Sequence, residues 1–158
     1  MSDETKAKLQ AFWKEKIYLI IDEFSMISKS FLAKLSSHVS IGKQGSETYR
    51  EGISFGGTNI ILCGDLHQFP PVAKSPRKRL YKAIDLAHDS LDAQIGRTLY
   101  EEFETVVILK EQIRVTDNRW RKLLNNLRKG QVQHQDLQTL RQLIITDSQE
   151  EELKEEVT

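Results

Sequence analysis

The chain has 158 residues, 39% of them hydrophobic and 29% charged, which is the composition of a folded domain and not of a disordered segment. Lysine plus arginine and aspartate plus glutamate both number 23, so there is no overall basic surplus to indicate nucleic-acid binding. The single cysteine, Cys63, excludes an internal disulfide, and no apolar run approaches the roughly 18 residues of a membrane span.

The first third of the chain predicts a helix, a buried strand and a second helix. Residues 6–15 carry apolar side chains at helical spacing, and residues 17–21 form an unbroken apolar run that leads into Asp22 and Glu23. Such a run is typical of a parallel strand that is buried on both faces. We expect Ser25 to cap the helix that follows.

Residues 36–57 turn polar and glycine-bearing, which predicts a surface excursion before the next strand. A second buried-strand run, residues 59–63, stops at a Gly-Asp pair and makes Cys63 a buried, inert thiol. The following segment, residues 66–76, holds all three prolines and is predicted to be a loop.

Helical spacing resumes at residues 80–86 and 91–103, and residues 105–109 form a third apolar run that predicts another buried strand. A basic helix is expected at residues 118–127, followed by a last helix at residues 137–144 and an acidic tail that frays. Strands that alternate with helices favour an α/β layered fold with a parallel sheet.

Two adjacent carboxylates, Asp22 and Glu23, follow the first predicted strand. The carboxyl ends of parallel strands meet at one sheet edge, where ligands bind in open α/β folds. Because Mg²⁺ prefers oxygen ligands, Asp22 is our candidate metal ligand. Glu23 is our candidate catalytic base, which orients a water for attack on a γ-phosphate. The alternative is that two acidic residues simply begin a loop.

A Gly-Asp-Leu-His-Gln-Phe-Pro-Pro-Val segment, residues 64–72, follows the second predicted strand. Gly64 permits a tight exit from the strand, and the two prolines stiffen the chain after it. Gln68 can accept a hydrogen bond from a water and donate one to a phosphate oxygen, so this loop could sense a bound nucleotide and transmit its state. The alternative is a proline-rich surface turn.

Together these motifs closely resemble the Pif/RecD-like helicases of superfamily one, over roughly residues 13–143. The segments that carry the resemblance are residues 19–26, 55–57, 64–72, 109–114 and 124–130. The resemblance implies a partial RecA-like P-loop NTPase fold, α/β with a parallel sheet flanked by helices. It also implies ATP-driven 5′-to-3′ translocation on single-stranded DNA and unwinding of the duplex.

The resemblance assigns roles to individual residues. It places the magnesium and the catalytic water at Asp22 and Glu23. The nucleotide contacts and the coupling of the γ-phosphate to DNA would come from the loop residues Gly64, Asp65 and Gln68. Contacts with DNA are predicted for residues on or after that loop, namely His67, Phe69, Arg77, Lys78 and Arg79. For the last three, a solvated charge cluster is the alternative.

Arg114 matches a family arginine that reaches the γ-phosphate from the second motor domain, where it compensates charge in the transition state. The alternative is a surface salt bridge. The family's glycine-rich loop ending in Gly-Lys-Ser or Gly-Lys-Thr is absent from this sequence. We expect that loop to lie upstream of Met1, an artificial start. Residues 1–109 would then be the second half of the first RecA-like domain, and residues 110–158 the opening of the second.

The favoured interpretation is therefore an ATP-dependent DNA helicase, incomplete as given and inactive alone. We expect Mg²⁺ and ATP at its active site, single-stranded or forked DNA as its partner, no membrane association and a monomeric state. It would act inside the cell, in the nucleus or mitochondrion of a eukaryote. One alternative is a non-catalytic remnant that binds DNA or a partner protein. The other is a different P-loop ATPase that shares only the Asp-Glu strand, and the loop at residues 64–72 argues against it.

Overall fold

The structure, a computed structural model, describes residues 1–72 and 75–144. The chain divides into two compact units, Met1–Val107 and Ile108–Thr158. The predicted acidic tail lies outside the described residues. Among the residues that are described, no helix combines the length and the apolar character needed to cross a membrane.

Within its described residues, the first unit contains three α-helices and a two-stranded parallel sheet. Its elements are α1 (Asp3–Trp13), β1 (Tyr18–Ile21), α2 (Lys29–Lys43), β2 (Asn59–Leu62) and α3 (Leu91–Glu101). Ile21 lies opposite Leu62 in the pairing of β1 with β2, and α2 lies in the crossover that parallel strands require. The predicted α/β fold with a parallel sheet is confirmed.

The sequence predicts Ser25 as the cap of α2, but in the structure the cap is Ser28. Ser25 is buried within a 3₁₀ turn, Phe24–Met26, so its hydroxyl is not at a helix start. Ser28 has an extended backbone, and its Oγ accepts a hydrogen bond from Phe31 N at 3.2 Å. This bond satisfies a backbone donor that has no partner within the helix.

α2 extends to Lys43, so the predicted surface excursion starts later than residue 36. The reason is burial, because Leu32 and Val39 keep helical spacing and are 0% and 1% exposed. Both belong to a core that joins α2 to α3 and to the chain on either side of β2. The buried members of this core are Leu32, Ala33, Val39, Phe55, Leu80 and Leu99.

Among the described residues, packing partners cover only one face of the sheet, which corrects the prediction of strands buried on both faces. Leu19 and Ile60 pack against the core, whereas Ile20 is 63% exposed and Ile61 is 43% exposed. Cys63 is exposed as well, so it is not the buried thiol expected from its position after an apolar run. Successive side chains of a strand point to opposite faces, and here only one of those faces has a packing partner.

Two further predictions made from apolar spacing are wrong. Residues 105–109 pair with no strand in the described part of the chain, and their apolar side chains are open to solvent, with Leu109 89% exposed. Residues 80–86 form turns instead of a helix, although Leu80 is buried in the core. An apolar run becomes regular structure only where tertiary contacts support it along its length. Residues 105–109 lack such contacts, and at residues 80–86 they are limited to the start of the run, since Leu86 is 80% exposed.

The second unit contains two helices within its described residues, α4 (Asn118–Arg128) and α5 (His134–Arg141). Asp117 caps α4, since its Oδ1 accepts a hydrogen bond from Trp120 N at 2.8 Å. Asn126 of α4 donates to Asp136 Oδ2 of α5 at 2.9 Å and links the two helices. The helix predicted at residues 118–127 is present, whereas the last helix begins at His134 and ends at Arg141, short of the predicted residue 144. The division into two successive motor domains near residue 109 stays a prediction.

Candidate functional site

The ends of β1 and β2 lie side by side at one edge of the sheet. Cys63 N donates to the carbonyl oxygen of Ile21 at 2.8 Å, and Phe24 N donates to the carbonyl oxygen of Cys63 at 3.1 Å. These two bonds extend the pairing of the strands beyond Ile21 and Leu62. They bring the turn that contains Asp22 next to the residues that precede Gly64. The two predicted motifs therefore meet at the carboxyl edge of the sheet, where ligands bind in open α/β folds.

Asp22 and Glu23 form a tight turn with an unusual backbone. Asp22 Oδ1 accepts a hydrogen bond from Glu23 N at 2.8 Å. Glu23 has φ 52° and ψ 41°, the left-handed region that is unfavourable for residues other than glycine. Both side chains are exposed, so their carboxylates are open to a ligand. Residues with a strained backbone cluster at functional sites, so the conformation of Glu23 supports a functional role for this turn.

Gly64 lies against this turn, and the contact requires glycine. Its φ is +151°, and a Cβ atom there would lie 3.0 Å from both the N and the Cδ1 of Phe24. The Phe24 ring stacks on Tyr100 of α3, with ring centroids 6.4 Å apart. The exit from β2 is therefore fixed by how the turn after β1 packs on α3.

Asp65 organises the loop that follows. Its Oδ1 accepts a hydrogen bond from His67 N at 2.9 Å, and its carbonyl oxygen accepts one from Gln68 N at 2.9 Å. His67 Nδ1 lies 3.5 Å from the same carboxylate oxygen. The Asp65 side chain thus closes the first turn of the loop, and its contact with a nucleotide stays a prediction.

Gln68 and Phe69 lie in the exposed stretch of this loop, residues 66–70. Gln68 is exposed, and Phe69 is 77% exposed. Pro71, two residues further on, is buried, so the far end of the loop is anchored in the first unit. An exposed aromatic ring on an anchored loop is a surface on which a nucleic-acid base can stack.

The donor atoms at this edge suit a hard divalent cation that is shared with a nucleotide. Proteins usually bind Mg²⁺ through one or two carboxylates together with water and phosphate oxygens. Asp22 supplies one such carboxylate, since only its Oδ1 is used by the backbone of the turn. The described residues contain no group of three or more His, Cys, Asp or Glu side chains that could hold a metal by themselves. Asp22 with Glu23 therefore fits Mg²⁺ bound to a triphosphate.

A protein-family model described as PIF1-like helicase matches residues 2–138, which is most of the chain. The chain belongs to this family. The resemblance seen in the sequence motifs is thereby confirmed.

Individual relatives agree with this assignment. ATP-dependent DNA helicase PIF1 of Candida albicans is 34% identical over 122 residues, which are 76% of this chain and 12% of that protein. The crystal structure of Pif1 helicase from the same organism matches with a TM-score of 0.64 at 27% identity and covers 89% of this chain and 28% of that chain. Bacteroides Pif1 bound to ssDNA matches with a TM-score of 0.56 at 23% identity, over 90% of this chain and 30% of that chain.

The structural likeness confirms the predicted partial RecA-like α/β fold. This PIF1-like chain spans less than a third of the length of each of these relatives.

The predicted DNA-facing cations of this PIF1-like chain are partly engaged within the protein. Arg77 Nη1 lies 3.2 Å from Asp85 Oδ2, and Arg79 Nη1 donates to Tyr81 Oη at 2.7 Å. Lys78 is exposed. A DNA phosphate would therefore compete with Asp85 for the guanidinium of Arg77, whereas the exposed Lys78 could bind the phosphate without first breaking an ion pair.

Arg114 belongs to the second unit of the PIF1-like chain, where it is exposed ahead of α4. The sheet edge formed by the ends of β1 and β2 belongs to the first unit. The role of Arg114 at the γ-phosphate stays a prediction, as do the catalytic roles of Glu23 and Gln68.

The sequence did not indicate two lysines that are completely buried. Lys29 forms an ion pair with Asp89, and the hydrogen bond from Lys29 is the main reason that the pKa of Asp89 lies below its usual value. Lys43 Nζ donates to the carbonyl oxygen of Lys16 at 2.9 Å, beside the end of α1. A lysine on a helix is usually exposed, so no local pattern marks these two positions.

Proposed function

We propose that this chain is the part of an ATP-dependent DNA helicase that holds magnesium and the γ-phosphate of ATP and couples hydrolysis to 5′-to-3′ movement along DNA. The observation that carries the proposal is the shared sheet edge, where Asp22 and Glu23 lie beside Gly64 and Asp65. Membership of the PIF1-like family supports it, as does the naming of the Candida albicans relative as an ATP-dependent DNA helicase.

Glu23 is the proposed base. Its exposed carboxylate lies on a turn that its own N–H closes by donating to Asp22, and it accepts a proton from the water that attacks the γ-phosphate. Asp22 would hold a magnesium ion through a carboxylate oxygen, and the bound ion would offset charge on the phosphate oxygens. The protein's contribution is thus to position the water and to stabilise developing charge.

Gln68 is the proposed link between phosphate and DNA. Its side-chain amide can accept from the attacking water and donate to a γ-phosphate oxygen. Phe69 is the next residue, so a shift of Gln68 on hydrolysis also moves the exposed ring that stacks on a base. Stacking contributes about 1–3 kcal/mol per base, so such a movement changes how firmly the strand is held.

Single-stranded or forked DNA is the proposed partner. His67, within the loop of residues 64–72, and Lys78, which follows that loop in the sequence, are exposed and would contact the DNA phosphates. The Bacteroides structure is described as bound to ssDNA, which supports this choice. Arg114 is the proposed arginine that compensates charge on the γ-phosphate, an effect of about 10³–10⁵ in rate for arginines of this kind.

A segment swap tests the proposal. This chain replaces the matching segment of the Candida albicans relative, and DNA-stimulated ATP turnover is measured in the chimaera and in its variants. We expect Glu23→Gln to lower turnover by about 10²-fold or more, because it removes the base. Glu15→Gln removes an exposed carboxylate from the turn before β1 and should leave turnover unchanged.

Equal turnover in the chimaera and its Glu23→Gln variant would overturn the proposal. Two further variants separate coupling from hydrolysis. Gln68→Ala should reduce the stimulation by DNA while nucleotide binding is retained. Phe69→Ala should weaken single-stranded DNA binding by about 1–3 kcal/mol. Thermal unfolding of each variant checks that the fold is unchanged.

A further inference from the structure

A small cavity of about 270 Å³ lies at the other end of the sheet from the candidate hydrolysis edge. Ile17, directly before β1, and Asn59, the first residue of β2, both line it. Because the strands are parallel, this is their amino end. The proposed hydrolysis chemistry does not use this cavity.

The walls of the cavity carry a surplus of positive charge. Lys16, Lys43 and Arg50 line it together with one carboxylate, that of Glu47. Lys43 is completely buried, and its Nζ donates to backbone carbonyl oxygens and to Thr48 Oγ1. These partners are all neutral, and Lys43 forms no ion pair within the described residues. Three cations therefore face one carboxylate.

Two residues that line the cavity have side-chain donors without a partner in the described part of the chain. Thr58 is 7% exposed, and its buried Oγ1 has no hydrogen-bond partner among the described residues. Arg50 is exposed, and its guanidinium forms no hydrogen bond or ion pair with another described residue, so it is open to a ligand. A buried hydroxyl without a partner is destabilising, so an acceptor supplied by a ligand would stabilise this site.

The backbone holds Arg50 against the cavity. Gly57 has φ +83°, and a Cβ atom there would lie 3.0 Å from Arg50 Cγ. Arg50 N also donates to the carbonyl oxygen of Gly56 at 3.1 Å. The missing side chain at Gly57 leaves room for the aliphatic stem of Arg50, which also lines the cavity.

We propose that this cavity binds a phosphate group. A phosphate oxygen would give the buried Thr58 hydroxyl the acceptor it lacks, and the exposed guanidinium of Arg50 can bind the same group through two parallel N–H bonds. The charges of Lys16 and Lys43 outweigh that of Glu47 and favour an anion. A free phosphate, a nucleotide and the backbone of DNA all present this group.

An NMR titration of the 158-residue chain tests the proposal. Inorganic phosphate, ATP or a short oligothymidine is added to ¹⁵N-labelled protein at constant ionic strength, and the amide shifts of Arg50, Gly57 and Thr58 are followed. We expect saturable shifts, with a dissociation constant for inorganic phosphate about tenfold higher in Arg50→Gln and in Thr58→Val. Lys6→Gln removes an exposed charge from the first half of α1 and should not change the affinity.

The three ligands separate the sources of the phosphate group. Shifts caused by oligothymidine and lost in Arg50→Gln identify the DNA backbone, whereas shifts caused only by phosphate and ATP identify a small-anion site. The proposal is overturned if none of the three gives saturable shifts at these amides, or if Arg50→Gln binds phosphate as tightly as the parent.

Thr58→Val also distinguishes binding from folding. Removing a buried hydroxyl that has no partner should leave the melting temperature of the free protein unchanged or raised. Weaker phosphate binding at an unchanged melting temperature therefore supports the site. A lower melting temperature would mean that the hydroxyl already has a partner in the fold, which contradicts the proposal.

Discussion

The ammonium group of Lys29 lies against Oδ2 of Asp89 in the interior of the first unit, and the two side chains are 0% and 7% exposed. Lys29 is the first residue of α2, and Asp89 directly precedes the cap of α3. The same Oδ2 accepts a hydrogen bond from Asp85 N at 3.1 Å, and Lys29 Nζ also donates to the carbonyl oxygen of Ala83 at 3.4 Å. The pair therefore ties the helix after the candidate hydrolysis turn to the segment before α3.

Lys29→Met should destabilise the first unit, because it leaves the Asp89 carboxylate buried without its cation. We expect a loss of about 3 kcal/mol in the free energy of unfolding, the lower end of the range for broken buried pairs. Urea unfolding followed by Trp13 fluorescence in a Trp120→Phe background measures it. Lys8→Met, which breaks an exposed pair with Glu4, should cost less than about 0.5 kcal/mol. Similar losses in both variants would contradict this.

The Lys29–Asp89 pair should also make the stability of the first unit depend on pH. The hydrogen bond from Lys29 holds the pKa of Asp89 below its usual value. A carboxyl whose pKa is lowered on folding contributes stability above its unfolded pKa and loses that contribution as pH falls through the folded value. Urea midpoints should therefore drop as the pH falls below the usual aspartate pKa of about 4. The double variant Lys29→Met with Asp89→Leu should show a smaller drop than the parent.

Gly96→Ala should destabilise the first unit although alanine is the better helix former. A Cβ atom at Gly96 would lie 1.7 Å from the carbonyl oxygen of Lys29, so α3 could no longer approach the start of α2. We expect a loss of about 1–3 kcal/mol, which outweighs a helix-propensity gain of about 1 kcal/mol. Thr98→Ala, at an exposed position of the same helix, is the control for urea unfolding. A Gly96→Ala variant that is more stable than the parent would show that α3 does not approach the carbonyl oxygen of Lys29 this closely.

The left-handed backbone at Glu23 gives a prediction that is independent of catalysis. Glycine tolerates this conformation and alanine does not, so Glu23→Gly should be more stable than Glu23→Ala by about 1 kcal/mol. The φ angle of Glu15 is not positive, so the Glu15→Gly variant should be no more stable than the Glu15→Ala variant. Thermal or urea unfolding of the four variants decides the comparison, and the same order at both positions would argue against strain at Glu23.

The purified 158-residue chain should hydrolyse ATP negligibly, with or without single-stranded DNA. Its sequence contains no Gly-Lys-Ser or Gly-Lys-Thr loop to hold the triphosphate. A coupled assay of ADP release, compared between the chain and its Glu23→Gln variant, measures this. DNA-stimulated turnover that disappears in the variant would contradict the expectation.

The parallel pairing of β1 with β2 and the meeting of Asp22 with Gly64 at one edge were predictable, because apolar runs ended by polar or glycine residues are local signals. The position of the α2 cap was not predictable, because Ser25 and Ser28 are the same residue type and both can cap a helix. The 3₁₀ turn that contains Ser25 leaves Ser28 at the start of the helix. The exposure of residues 105–109 was also not predictable, because an apolar run does not specify its partner.

The sequence by itself determined the family and the order of the chemical motifs, since Asp22, Glu23 and Gln68 are defined by residue type and by their distance from an apolar run. Only the tertiary structure decided which face of the sheet is covered and that Glu23 is left-handed. It also decided that Lys29 is paired inside the core. The physical reason is that burial and ion pairing depend on residues far apart in the chain, which no local pattern encodes.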